Sequence, residues 1–272
     1  MHRQAVSVTP VDDTLRMYDT TVRQRVSRLL DSGQTISSVS RQTGVSRSTI
    51  RQWRDQPDRV PSRVASCPRC LDVPESPEPA DAYAYLLGLY LGDGCISVVG
   101  DPGKRVWSLR IMCADAWPGL QEECAQALAA LRPGNKVRRL PRQGCTEINS
   151  FSKHWPHLFP QHGPGKKHNR SIILESWQRQ IVQANPGSLV RGLFHSDGCR
   201  LSNRVRRELH SGTRRYEYPR YLFVNKSRDI LELCGETLDL LGVAWRRSKP
   251  DTISVARREA VERLDEFVGP KH

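Results

Sequence analysis

The sequence has no stretch of about 18 apolar residues, so no membrane-spanning helix is expected. Its first residues (MHRQAVSVTPVDD) lack the apolar core of a secretory signal. Export is therefore not expected, and the chain is placed in the cytoplasm, at the nucleoid if the source is bacterial. The eight cysteines are scattered over 272 residues rather than packed into the short framework of a disulfide-stapled secreted domain. They read as reduced thiols, mostly in the core. Low-complexity tracts are absent. Acidic residues are in short supply, 29 against 42 Lys and Arg, which leaves a net charge of +13. A surplus of that size calls for a polyanionic partner, and nucleic acid is the usual one.

Proline is unevenly spread. Pro57, Pro61, Pro68, Pro74, Pro77 and Pro79 crowd one stretch. Proline fixes φ and removes a backbone donor, so that stretch reads as an extended linker. It divides the chain into a small N-terminal domain (1–56), a linker (57–80) and a larger domain (81–272). Within the linker, Cys67 and Cys70 have the spacing of half a zinc site. No second such pair follows, so zinc there needs ligands from elsewhere in the fold.

The first domain carries a helical pattern. Val22, Val26, Leu29 and Leu30 form an apolar stripe that stops at Gly33. Val39, Val45, Ile50 and Trp53 then fall where two short helices face each other, with Gly44 at the turn and Ser46 as N-cap of the second. Arg47, Ser48, Thr49, Arg51 and Gln52 are left pointing outward. Arg and Gln suit guanine and adenine edges, and Ser suits phosphate. The unit resembles the homeodomain-like helix-turn-helix of resolvases and regulators.

The larger domain repeats one design. Leu86-Leu-Gly-Leu-Tyr-Leu-Gly-Asp-Gly94 and Leu189-Val-Arg-Gly-Leu-Phe-His-Ser-Asp-Gly198 are apolar helices with small residues four apart. These are Gly88 and Gly92 in the first, and Gly192 and Ser196 in the second. Such faces let two helix backbones approach closely. Each helix ends in Asp-Gly, where the glycine suits a left-handed cap. After each come a β-rich stretch (Trp107–Met112; Tyr221–Val224), an amphipathic helix (Leu120–Leu131; Ile230–Leu241) and a further strand (Cys145–Asn149; Thr252–Ala256). A short helix ending in Phe159 or Phe267 and a Gly-Pro-Lys-His-like tail close each copy. The duplication splits the domain into repeat one (81–186) and repeat two (187–272).

The paired motifs resemble the signature helices of the LAGLIDADG (DOD-type) homing endonucleases, in their two-repeat single-chain form. The resemblance implies an α+β fold: a three-helix helix-turn-helix, a Pro-rich linker, then two pseudo-symmetric αββαββα repeats whose antiparallel sheets face DNA. It implies that Asp93 and Asp197 meet at the helix ends and hold Mg²⁺ or another divalent cation. A metal there would activate water against a phosphodiester. It places Lys167 and Lys271, with Lys166 adjacent, as the basic residues after each copy's last helix. The sequence departs from the family at the inner acid position of each motif, which is Leu91 in one copy and His195 in the other.

Candidate DNA contacts in the larger domain are Arg105 and Arg110, then Arg138 and Arg139 in a basic stretch between elements that also holds Lys136 and Arg142. In the second copy they are Arg200, Arg204, Arg206, Arg207, Arg214 and Arg215, with Arg220, around a hairpin. His154, His157, His162 and His168 lack metal spacing and read as surface residues. Trp117, Trp155 and Trp177 read as core anchors. Two functions stand at this point, a metal-dependent double-strand DNA endonuclease and a non-cleaving transcriptional regulator that binds double-stranded DNA through both domains. Retained acids favour the first, whereas the helix-turn-helix and the altered inner positions fit the second. One chain supplies both halves of the site, so a monomer is expected.

Overall fold

The computed structural model describes residues 20–55, 76–100, 105–209, 212–269 and 271. The chain divides into two compact units, Met1–Ala65 and Ser66–His272. The Cys67–Cys70 pair and most of the Pro-rich linker lie outside the described residues.

The N-terminal unit holds three helices, α1 (Thr20–Asp31), α2 (Ile36–Thr43) and α3 (Arg47–Asp55). Thr35 caps α2 by accepting from the Ser38 N–H, and Gly44 ends it at φ 70°. Ser46 accepts from the Thr49 N–H at 3.1 Å and starts α3. Val26, Val39, Val45 and Ile50 form the fully buried centre, with Val22, Leu29, Leu30, Ile36 and Trp53 packed around it. Apart from Ile36, these are the residues that the sequence pattern assigns to the inside, and their burial drives the three short helices together.

The second unit is α+β and runs through one order of elements twice. The first copy is α4 (Ala80–Asp93), β1 (Gly94–Val98), β2 (Trp107–Ala114), α5 (Pro118–Leu131), β3 (Val137–Arg142), β4 (Cys145–Ser152) and α6 (Trp155–Leu158). A 3₁₀ turn (Lys167–Asn169) and α7 (Ser176–Ala184) lead to the second copy. That copy is α8 (Pro186–Asp197), β5 (Gly198–Leu209), β6 (Gly212–Val224), α9 (Arg228–Leu240), β7 (Arg246–Lys249), β8 (Thr252–Val255) and α10 (Arg258–Val268). Each copy forms a four-stranded sheet, ordered β1-β2-β4-β3 and β5-β6-β8-β7, and every paired strand is antiparallel.

Three elements depart from the sequence reading. The basic stretch 137–142 is not a connection but the strand β3, paired with β4 from Val137↔Ser150 to Arg142↔Cys145. It contains Pro141 and lies at the edge of its sheet, the place where a strand tolerates proline. Helix α7 starts on a capping box formed by Glu175 and Gln178. Gly94 and Gly198 are extended rather than left-handed (φ −91° and −99°) and begin β1 and β5. Glycine is needed there for close approach: a Cβ at Gly94 would lie 2.5 Å from Tyr90 Cα, and one at Gly198 2.6 Å from Phe194 Cα.

Helix α4 is buried on every side from Tyr83 to Leu91, as expected of a helix apolar all round. It packs on α8 backbone to backbone. A Cβ at Gly192 would lie 2.1 Å from the Tyr85 carbonyl oxygen, and one at Gly88 2.6 Å from Leu189 O. Trp155 is fully buried as expected, but Trp117 is exposed. His154 is buried rather than on the surface. Of the described cysteines, Cys113, Cys124 and Cys234 are buried while Cys145 is half-buried and Cys95 and Cys199 are exposed, so core thiols are half of them and not the majority.

Candidate functional site

The helix pair sets the site. Both motif helices end at an aspartate, and the bare α4–α8 seam brings those ends together. A Cβ at Gly92 would lie 2.1 Å from Ser196 Oγ and 3.1 Å from Asp197 Oδ2. The Ser196 hydroxyl is turned back onto its own helix, donating to Leu193 O (2.9 Å) and Gly192 O (3.1 Å).

Both expected lysines arrive at this floor. Lys167 Nζ donates to Gly92 O at 2.7 Å, and Lys271 Nζ donates to Gly198 O at 2.6 Å. Each thus anchors on its own repeat's helix end. The acids face the opposite arrangement. Asp197 and Lys167 share a cleft of about 960 Å³, whereas Asp93 and Lys271 share a smaller one of about 160 Å³. Each cleft therefore takes its acid from one repeat and its lysine from the other.

The electrostatics follow from crowding charges into partial shelter. Loss of solvent and, next, the Asp197 charge push the Asp93 carboxyl up to about 6, against the pull of Lys167 and Lys271. Burial also raises Asp197, opposed first by a hydrogen bond from Asn225. Burial pulls Lys167 down to about 8, opposed by Asp197 and then Asp93. Lys271 is lowered for the same reason, and Asp93 opposes that shift most.

Among the described residues, no group of three or more His, Cys, Asp or Glu is placed to hold a metal ion. The donor set is two carboxylates whose ionisation is disfavoured by their surroundings and, for Asp93, by its neighbour. A hard divalent cation that keeps several waters needs no more than one or two carboxylates, and its charge would relieve that repulsion. The residues fit such an ion.

The altered inner positions have structural occupations. Leu91 is core. His195 is buried; its Nε2 donates to Val268 O at 3.0 Å, so its Nδ1 accepts from the Tyr85 hydroxyl at 3.0 Å. Burial and then Arg191 lower its pKa to about 4. It is neutral near pH 7 with both ring nitrogens used. Nearby, Arg191 clamps Glu123 through two hydrogen bonds, of 2.6 and 3.1 Å.

Sequence reasoning missed Asn225 and Lys226. The Asn225 amide donates to Asp197 Oδ2 at 2.6 Å, and its carbonyl accepts from the Ser227 N–H at 2.7 Å. Lys226 lines the same cleft as Asp197 and Lys167. Both follow the end of β6, and only the strand register brings them to the site.

Strand alternation sorts the arginines. Ile111 and Ile148 are buried partners on one face of the first sheet, so Arg110, Arg138 and Arg142 project from the other face. Arg110 and Arg138 both pair in register with Asn149. Arg142 also bonds Glu147, and despite its burial Glu147 is held below the usual range by hydrogen bonds from Arg142 and Asn149. Arg139 faces the opposite way and pairs with Glu122 on α5, so it leaves the group formed by Arg110 and Arg138. In the second sheet, Tyr221 and Phe223 mark the buried face. Arg200, Arg204, Arg206 and Arg215 share its parity; Arg200 is held by Asp265 of α10 (2.9 and 3.0 Å) and Arg204 by Glu217. Arg214 and Arg220 lie on the other face, as does the backbone register of Arg207. Arg105 stands before β2 at φ 49°. In the N-terminal unit Arg47, Ser48, Arg51 and Gln52 are all exposed along α3.

Comparison with known proteins gives two kinds of likeness. Residues 17–59 match the model of a homeodomain-like domain. No curated protein matches the chain. Among solved structures, mesophilic variants of the homing endonuclease I-DmoI share 15% identity over 70% of this chain and 97% of theirs, with a TM-score of 0.45. The complex of I-DmoI with DNA and Mn shares 16% identity over 70% and 98%, also at 0.45. The LAGLIDADG meganuclease I-AabMI bound to uncleaved DNA shares 13% over 70% and 85%, at 0.44.

Proposed function

We propose that the chain is a site-specific DNA-binding protein and a metal-dependent endonuclease that hydrolyses phosphodiesters in double-stranded DNA. The observation that carries this reading is the pair of acids at the α4–α8 seam, each facing a lysine from the other repeat. A divalent cation held by Asp93 and Asp197, with Mg²⁺ the expected ion, would polarise the scissile phosphate and generate hydroxide from bound water. The protein's own groups do the rest. Asn225 fixes the Asp197 carboxylate. Lys167 and Lys271, locked onto backbone carbonyls at the helix ends, hold positive charge where negative charge develops on the phosphate.

Arg110, Arg138, Arg214 and Arg220, projecting from the outer sheet faces, are the candidate contacts to phosphates and base edges. Arg47, Ser48, Arg51 and Gln52 on α3 would add contacts to a further stretch of duplex, as recognition helices do. A monomer suffices, because both acids lie in one chain.

The second reading is a DNA-binding transcriptional regulator that does not cut. It is favoured by the sealed inner positions, Leu91 in the core and His195 fixed between Tyr85 and Val268. Strand cleavage on selected duplexes with Mg²⁺, compared between the native chain and Asp197→Asn, separates the two. Breaks made by the native chain and lost in the variant support the nuclease. Undiminished binding without breaks supports the regulator.

A further inference from the structure

The two acid clefts are not equivalent. Around Asp197 the cleft is large, with the Asn225 amide bonded to the carboxylate and Lys167 and Lys226 on its lining. Around Asp93 it is small, lined by Leu89, Ile111, Met112, Cys113 and Leu120 among others, with Lys271 the one Lys or Arg among its described lining residues. The register gives the reason. Gly94 pairs with Ile111 and Gly198 with Phe223, so two residues on Cys113 stands where Asn225 stands, and three residues on Ala114 stands where Lys226 stands. Counting back from the helix starts at Pro118 and Arg228 gives Asp115 and Ala116 instead. By either count the first repeat has no lysine at this place. Cys113 is buried, and the exposed Asp115 carboxylate accepts from the Thr146 hydroxyl at 2.9 Å. Among the described residues, the amide bonded to Asp197 and the further lysine lining its cleft have no counterparts in the cleft of Asp93.

We propose that this inequality makes the enzyme strand-biased, cutting one strand quickly at the Asp197–Lys167–Asn225–Lys226 cleft and the other slowly or not at all. The inference rests on the nuclease reading above. In the fast step the oxygen of a water molecule forms a bond to phosphorus and one ester P–O bond breaks. The attacking water gives up a proton to solvent, and the displaced deoxyribose oxygen takes one from solvent. Lys226 contributes charge to the pentacoordinate phosphate and is not consumed.

Removing one such stabilising group costs on the order of 100-fold in rate, so the strands should differ by about that factor. The test uses the full chain and a duplex recovered by repeated binding selection from a randomised library, with each strand labelled at its 5′ end by a different fluorophore. Time courses with Mg²⁺ are read for each strand on denaturing gels, with binding followed by gel shift. The expected result is nicking of one strand about 100-fold faster than the other. Lys226→Met should slow the fast strand alone, with gel-shift affinity kept within a few-fold. Equal rates on both strands would overturn the inference and leave the nuclease reading intact, as would a Lys226→Met defect shared by both strands. Binding with no cleavage of either strand would overturn both.

Discussion

Asp93 shows how one residue's surroundings fix its chemistry. Its carboxyl is held up to about 6 by lost solvation and by Asp197, against about 3.9 for an unperturbed aspartate. The folded state therefore binds this proton more tightly than the unfolded chain does. The stabilisation it brings is complete below the unfolded pKa and is lost as pH rises through about 6. Asp93→Asn should accordingly raise the thermal midpoint at pH 7.5, with the advantage fading by pH 5. Differential scanning calorimetry at both pH values checks this, and an equal effect at both would count against a raised Asp93 pKa. A bound cation demands the ionised form. Mg²⁺ should raise the midpoint of the native chain at pH 7.5 by mass action, much less below pH 6, and not at all in Asp93→Asn or Asp197→Asn.

At the scale of elements, the α4–α8 seam carries the greatest constraint. A side chain at Gly192 meets backbone, the Tyr85 carbonyl at 2.1 Å, so no rotamer relieves it. Gly192→Val should cost at least the about 1–3 kcal/mol typical of overpacking, and more if the helices must separate. Urea denaturation measures it. Wild-type stability in the variant would show that the helices do not depend on this approach. This seam was legible in the sequence because small residues four apart and a terminal aspartate recur in both motifs. Asp93, Asp197, Lys167 and Lys271 were legible for the same reason, each lying at a fixed place in a repeated order. Asn225 and Lys226 were not, since their placement depends on where β6 stops and on a pairing with distant β5. The arginines were half legible. Net charge marks the stretches they occupy, but strand parity decides that Arg138 projects outward while Arg139 turns to Glu122. That parity was lost when 137–142, with its proline and three arginines, read as a connection. Helix α7 went unread, although Glu175 and Gln178 stand at capping-box spacing.

The whole chain is strongly basic, at +13, and the outer faces of both sheets carry arginine. Binding to duplex DNA should weaken steeply with salt, because each phosphate contact releases counterions. Arg214→Gln and Arg220→Gln should each reduce the slope of log K against log salt by about 1. Arg139→Gln should leave it unchanged, since that side chain lies against α5. Fluorescence anisotropy over a salt series distinguishes these outcomes. The central claim is that the acids at the helix seam cut DNA with a divalent cation, and sequencing of strand ends from a randomised duplex library tests it most directly. The native chain with Mg²⁺ should produce new ends at one defined sequence, absent with chelator and absent for Asp93→Asn and Asp197→Asn while both variants still bind. Binding by the native chain with no new ends, or ends that persist in both variants, would contradict it.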